Sequence, residues 1–164
     1  IKQKFHFTKA TGKKITLTSL PSDKYPGDGA FTLVNGIQNE KGLARSGECL
    51  GFESGADCEA VIDLGSSQTI NNAIIHTLSS GGSWVYPPRY AEVFISTDGQ
   101  NFSSAGKGEK FETTNGSNGI IKVSFAPASA RYIKVFVKNF GIIPQGMSGA
   151  GNGAWLFVDE IEIN

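Results

Sequence analysis

The chain has 164 residues, with fifteen basic residues balancing fifteen acidic ones and charged residues making up only 18%. That length allows one domain with a core large enough to need no metal or disulfide. A neutral chain lacks the broad positive field of non-specific nucleic-acid binders. No apolar run approaches the ~20 residues that span a bilayer, so neither nucleic acid nor membrane insertion is expected. The first residues, Ile1-Lys2-Gln3, carry no Met and no signal peptide, and read as the start of a piece cut from a longer protein.

In chain order, Pro26-Gly27-Asp28-Gly29 is a turn, and Ala30 to Val34 predicts one short helical turn. Cys49 and Cys58 flank the turn Glu53–Asp57 and are read as either two buried thiols or a disulfide. From there on, alternation with a period of two dominates. Ala91, Val93 and Ile95 share one face of Tyr90 to Ser96, with Glu92 and Ser96 on the other. Ile121, Val123 and Phe125 alternate with Lys122 and Ser124, and Ile133, Val135 and Val137 alternate with Lys134 and Lys138. The last strand should bury Ile161 and Ile163 and expose Glu160 and Glu162. Turns at Thr97–Gln100, Asn115–Gly119 and Gly149–Gly153 separate these runs. The pattern predicts an all-β antiparallel sandwich or jelly roll of about eight strands.

Two segments do not fit the strand pattern. Ser79 to Pro88 carries Trp84, Val85 and Tyr86 beside two prolines, and Asn139 to Ala154 is long, glycine-rich and followed by Trp155. Long loops in compact domains are commonly functional. Both can meet at one end of a sandwich, where exposed aromatic planes would suit the C–H faces of sugars. Trp84, Tyr86 and Trp155 are therefore candidate platform residues, with some of them alternatively capping the core. His76 and Asn139, near strand ends beneath these loops, are candidate partners for hydroxyl groups. His76 alternates with apolar Ile75, a position equally suited to a structural histidine.

No catalytic constellation is found: there are two histidines and no nucleophile elbow or metalloprotease motif. The Gly149–Gly153 run precedes a strand, so it lacks the helix N-terminus of a phosphate loop. Asp159-Glu160 is an adjacent carboxylate pair, but neighbours on a regular strand face opposite ways and do not converge.

Four runs appear in an order that resembles the discoidin, or coagulation factor 5/8 type C, domain. They are Glu59–Gly65, Ile95–Phe102, Ala130–Val135 and Asp159–Ile163. Lys24-Tyr25-Pro26-Gly27, Leu33–Ile37 and Ala154–Ile161 further resemble the C-terminal module of bacterial β-N-acetylhexosaminidases (chitobiases) of glycoside hydrolase family 20. That module is grouped with family 32 carbohydrate-binding modules. The resemblance implies a discoidin jelly roll, a shallow glycan site in the end loops and a structural calcium ion (Ca2+) at Asn35 and Glu160. The family usually places Asp where this chain has Asn35, which removes one charge from the cation's surroundings. It also implies an exported bacterial protein, periplasmic, outer-membrane-associated or secreted. The module would bind galactose- or N-acetylhexosamine-type sugars and accompany a catalytic domain. A domain that packs on the catalytic partner without binding sugar is the alternative.

Overall fold

The computed structural model describes residues 4–164; the opening residues Ile1–Gln3 lie outside them. The described residues form eight strands, all paired antiparallel: β1 (Lys14–Leu17), β2 (Leu50–Phe52), β3 (Cys58–Leu78), β4 (Tyr90–Ser96), β5 (Ser103–Gly108), β6 (Phe111–Asn115), β7 (Asn118–Lys138) and β8 (Leu156–Ile163). The jelly-roll β-sandwich expected from the alternation is what forms. Gly29–Val34 makes a 3-10 turn where a helical turn was expected, and further 3-10 turns occupy Gly42–Glu48 and Gly81–Ser83.

β3 and β7, each 21 residues long, pair along their whole length, and both serve the two layers of the sandwich. Their register breaks between Asp63 and Gln68 and again between Ile70 and Asn72. Before the first break, β3 pairs with β1 and with the end of β7, which continues to β4 and β5. After the second break, β3 pairs with β8, which holds β2, while the start of β7 pairs with β6. Bulges bend strands, and a bend in a strand pair turns one ribbon into two facing layers.

The inward faces meet in one cluster. Ile62, Ile133 and Val135 from the first layer pack with Ile75, Ile121 and Ile161 from the second, all at zero exposure. Full burial of each such aliphatic side chain contributes about 1.5–3 kcal/mol. Leu33 and Val34 of the first 3-10 turn belong to the same core.

Two facing assignments from the alternation are corrected. Ser96 is buried, because its hydroxyl folds back into the next turn, donating to Asp98 and accepting from the Gly99 N–H. Glu160 is buried rather than exposed. Opposite β8, His76 pairs with Glu160 and Thr77 with Val158, so Asp159 is an extra, bulged residue. The segment Asn35–Asn39 then crosses the pair, with the Gly36 N–H donating to Glu160 at 3.0 Å and the Asn39 N–H to Asp159 at 2.8 Å.

Of the two readings of the cysteines, the structure has the buried thiols. Both are free and buried. Cys49 precedes β2, which pairs with β8 in one layer, whereas Cys58 starts β3 beside Val137 in the other. Facing positions on adjacent strands never arise, because β2 and β3 are not neighbours. Burial pushes both thiols up to about 12, so each behaves as a small apolar side chain. No helix among the described residues is long and apolar enough to cross a membrane.

Candidate functional site

The two unusual loops meet at one end of the sandwich, as their placement between strands suggested. Ser80 and Val85 close the first loop by exchanging backbone hydrogen bonds around the 3-10 turn. Val85 pairs in parallel with Trp155, and the Trp155 N–H donates to the Trp84 carbonyl at 2.9 Å. The second loop is tied internally, with the Ile143 N–H donating to Asn152 and the Ala154 N–H to Gly141. It also receives the Tyr86 hydroxyl, which donates to the Ser148 carbonyl at 2.9 Å.

The candidate side chains separate into those that face outward and those that hold the loops together. Trp84 caps its 3-10 turn in the left-handed region, at φ 63°, and is 39% exposed. Its indole lies flat on Gly149, where an added Cβ would come within 2.7 Å of the ring. Tyr86 is only 8% exposed and stacks on Phe140 with ring centroids 4.9 Å apart. Two residues apart on a regular extended segment, Trp84 and Tyr86 would share a face, and the Trp84 backbone prevents it. A residue with positive φ breaks the two-residue alternation of an extended chain, so one ring points out and the other in.

Asn139 is fully buried and committed to the protein itself. Its side-chain amide donates to the Ala56 and Ala154 carbonyls at 2.9 and 3.1 Å, and its oxygen accepts from the Gly141 N–H. It has no group left for a sugar hydroxyl. His76 does not join this end either. Its Nε2 lies 2.7 Å from a Glu162 carboxylate oxygen, and it lines a separate polar cavity.

Trp155 is half-buried and forms part of a pocket of about 190 Å³, with Lys24, Tyr25, Leu43, Ser46 and Val85 among its other walls. Tyr25 meets Trp155 edge-on at 5.3 Å, Phe157 lies tilted 5.7 Å away, and the Lys24 ammonium sits 5.6 Å from the indole centre. Ser83 also lines the pocket, while Trp84, between Ser83 and Val85, lays its ring on Gly149 of the second loop. The result is a shallow aromatic surface edged by an ammonium and hydroxyls. In the sequence, Lys24-Tyr25 stands out only through the family resemblance, Ser83 only as part of the Ser79–Pro88 loop, and Leu43 and Ser46 not at all. No pattern local to those residues brings them to Trp155; they arrive through loop packing.

At the opposite carboxylate, Glu160 is at zero exposure, with one oxygen accepting from Gly36 and the other without a hydrogen-bond partner. Burial pushes its carboxyl up to about 9, with the neighbouring Asp159 and Glu162 charges adding to the rise. Asn35 spends its side-chain oxygen on the Ile37 N–H, shaping the loop. An orphaned, buried carboxylate oxygen suits a hard cation. Among the described residues no three His, Cys, Asp or Glu side chains cluster for a metal. A cation at Glu160 would therefore depend largely on backbone carbonyls, which calcium accepts.

Comparison with known proteins gives a family and a fold. The family model of the F5/8 type C domain matches residues 30–159. No curated protein matches the chain. Among solved structures, chitosan-binding module 1 of a chitosanase/glucanase from Paenibacillus sp. IK-5 is similar at 20% identity, covering 97% of this chain and 99% of that one, with a TM-score of 0.61. CpGH89CBM32-5 from Clostridium perfringens, in complex with GalNAc-beta-1,3-galactose, is 16% identical, with 96% and 99% covered and a TM-score of 0.62. A fucose binding module of Streptococcus pneumoniae, SpX-3, is 13% identical, with 96% and 97% covered and a TM-score of 0.58. The match along residues 30–159, together with the two-layer sandwich, shows that the chain belongs to the F5/8 type C, or discoidin, domain family.

Proposed function

We propose that this domain is a non-catalytic carbohydrate-binding module that holds a glycoside hydrolase on its glycan. The observation that carries the reading is the pocket at Trp155, where an indole and the ring of Tyr25 lie beside the Lys24 ammonium and the Ser46 hydroxyl. A sugar offers flat C–H faces ringed by hydroxyls, and this surface offers a matching apolar plane with polar groups at its edge. Trp84, exposed beside Gly149 at the same end of the sandwich, would take a neighbouring sugar unit. The similar module CpGH89CBM32-5 is in complex with GalNAc-beta-1,3-galactose, which supports galactose- or N-acetylhexosamine-type ligands. The parent enzyme on this reading is a chitobiase of an exported bacterial type. Glu160 would hold a structural calcium ion, whose chemistry is limited to neutralising that carboxylate and tying β8 to the Asn35–Asn39 segment.

A small ligand over one or two aromatic rings buries little area, so the dissociation constant should be on the order of 0.1–1 mM, or about 4–5.5 kcal/mol. Tethering the catalytic domain to a polymer multiplies that through effective concentration. The test is a glycan array followed by titration calorimetry on the best sugar. Trp155→Ala and Trp84→Ala should each weaken binding by about tenfold or more while the protein still melts cooperatively. Unchanged affinity in both variants would overturn the site. A packing role against a catalytic partner is the second reading, favoured by Phe5 and Phe7, exposed rings stacked 6.4 Å apart.

A further inference from the structure

A second cavity, about 340 Å³, lies away from the aromatic pocket, across the segment that runs from Gln38 through Ser46. That one segment supplies Gln38, Asn39 and Glu40 to the cavity and Leu43 and Ser46 to the aromatic pocket. The remaining cavity walls come from β3, β6, β7 and β8, so four strands converge on it. Its volume is at the low end of the ~300–1,000 Å³ typical of small-ligand sites.

Three features of the lining restrict what it can hold. It contains no Lys, no Arg and no Phe, Tyr or Trp, so it suits neither an anion nor a stacked apolar ligand. It is rich in acceptors, with the carboxylates of Glu40 and Asp159 and the amides of Asn115 and Asn118. One acceptor is unspent: Asn118 is 7% exposed, and its side-chain oxygen has no hydrogen-bond partner. Burying an unsatisfied polar oxygen costs about 1–3 kcal/mol, and a ligand that donates to it recovers that cost. Asp159, at 2% exposure, accepts one hydrogen bond from Asn39 within the same cavity. His76, oriented by Glu162, forms part of the wall.

A ligand here must supply donors and positive charge. A hard metal ion supplies charge but no hydrogen-bond donor, and would find two carboxylates and otherwise neutral side-chain oxygens in this lining. A primary ammonium meets the requirement, with three donors on one centre and charge-assisted bonds to carboxylate and amide oxygens. The amides and the Thr77 and Thr114 side chains around it match ring hydroxyls. We propose that this cavity is a second binding site, separate from the aromatic pocket, that takes the protonated amine of an amino sugar against Asn118 and Asp159.

The test follows isotope-labelled protein by NMR during titration with glucosamine hydrochloride, N-acetylglucosamine and methylammonium chloride at matched ionic strength. Glucosamine should shift the Asn118 side-chain amide and the His76 ring saturably. Methylammonium should give a weaker shift at Asn118, and N-acetylglucosamine, with its amine blocked, should leave both unmoved. Asn118→Leu should weaken the glucosamine response about tenfold or more. Glu40→Gln, at an exposed rim position, should weaken it about threefold and gives the reading if Asn118→Leu fails to fold. An equal response to N-acetylglucosamine, or no saturable shift with glucosamine, overturns the proposal. The indole signals of Trp84 and Trp155 report the aromatic pocket in the same spectra. Indole shifts alone would retain that pocket and remove this site; Asn118 shifts alone would do the reverse.

Discussion

Trp84 sits in a backbone region that costs a bulky L-residue about 1–3 kcal/mol, and the surrounding loop holds it there. Its carbonyl receives the Trp155 N–H, its own N–H donates to Gly81, and its ring lies on Gly149. Nothing in the local sequence signals a positive φ at a tryptophan, which is why Tyr86, two residues on, was assigned to the surface and is buried. Asn139 shows the complementary error. An asparagine at a strand end beside a long loop can serve a ligand or its own backbone with the same amide, and only the fold reveals which. Its three side-chain hydrogen bonds tie Ala56, Gly141 and Ala154 together in the interior. Asn139→Ala would orphan the Ala56 carbonyl and the Gly141 N–H, at about 1–3 kcal/mol each, while the Ala154 carbonyl keeps the Gly55 N–H. Urea denaturation should show a loss of at least about 2 kcal/mol, with the glycan affinity of the remaining folded protein unchanged. A loss of affinity without a loss of stability would return Asn139 to the binding site.

The elements themselves were largely legible, because each strand with one face in the core carries period-two alternation that survives in the sequence. What alternation does not encode is a bulge. Glu160 keeps the face of Glu162 but is covered by the Asn35–Asn39 segment, which crosses at the bulged Asp159, and the breaks between Asp63 and Asn72 fold one long pair into two layers. At the first of those breaks, Asp63 is held by a two-pronged hydrogen bond from Arg131, at 2.8 and 3.0 Å, on the partner strand β7. The Arg131 hydrogen bonds, then the Gly65 N–H, hold the Asp63 carboxyl down to about 2. A carboxyl that is more acidic folded than unfolded stabilises the fold above its ordinary pKa of about 4. That contribution should fade as the pH falls from about 4 to about 2. Arg131 is partly exposed, so solvent screening keeps the effect modest. Melting temperatures from pH 6 to pH 2 should fall less steeply for Asp63→Asn than for the parent; parallel curves would show that the pair contributes nothing.

For the whole molecule, Glu160 connects two levels of organisation. It belongs to the last strand, yet its one hydrogen bond from Gly36 secures a segment far earlier in the chain. Calcium bound to the native state alone should raise the melting temperature with the logarithm of its concentration, relative to excess chelator. Glu160→Gln should melt close to the parent in chelator, since burial already favours the neutral form there, and should gain nothing from calcium. Coinciding melts of the parent with and without calcium would remove the cation from the reading.

The β3–β7 pair has a further consequence, for how the chain reaches this structure. Cys58 pairs with Val137 and Leu78 with Asn118, while residues 79–117 lie between the two strands as an enclosed loop. Every other strand except β2 and β5 pairs directly with one of these two, and β2 and β5 add to strands that do. Neither layer can be completed until this long-range ladder has zipped, and loop-closure entropy is spent before most of the apolar core is buried. Such non-local topologies fold in about milliseconds to seconds rather than microseconds. The amides of β3 and β7 should accordingly be the last to exchange with deuterium, while those of the Ser79–Pro88 and Asn139–Ala154 loops at the sandwich end exchange through local openings that leave the ladder intact.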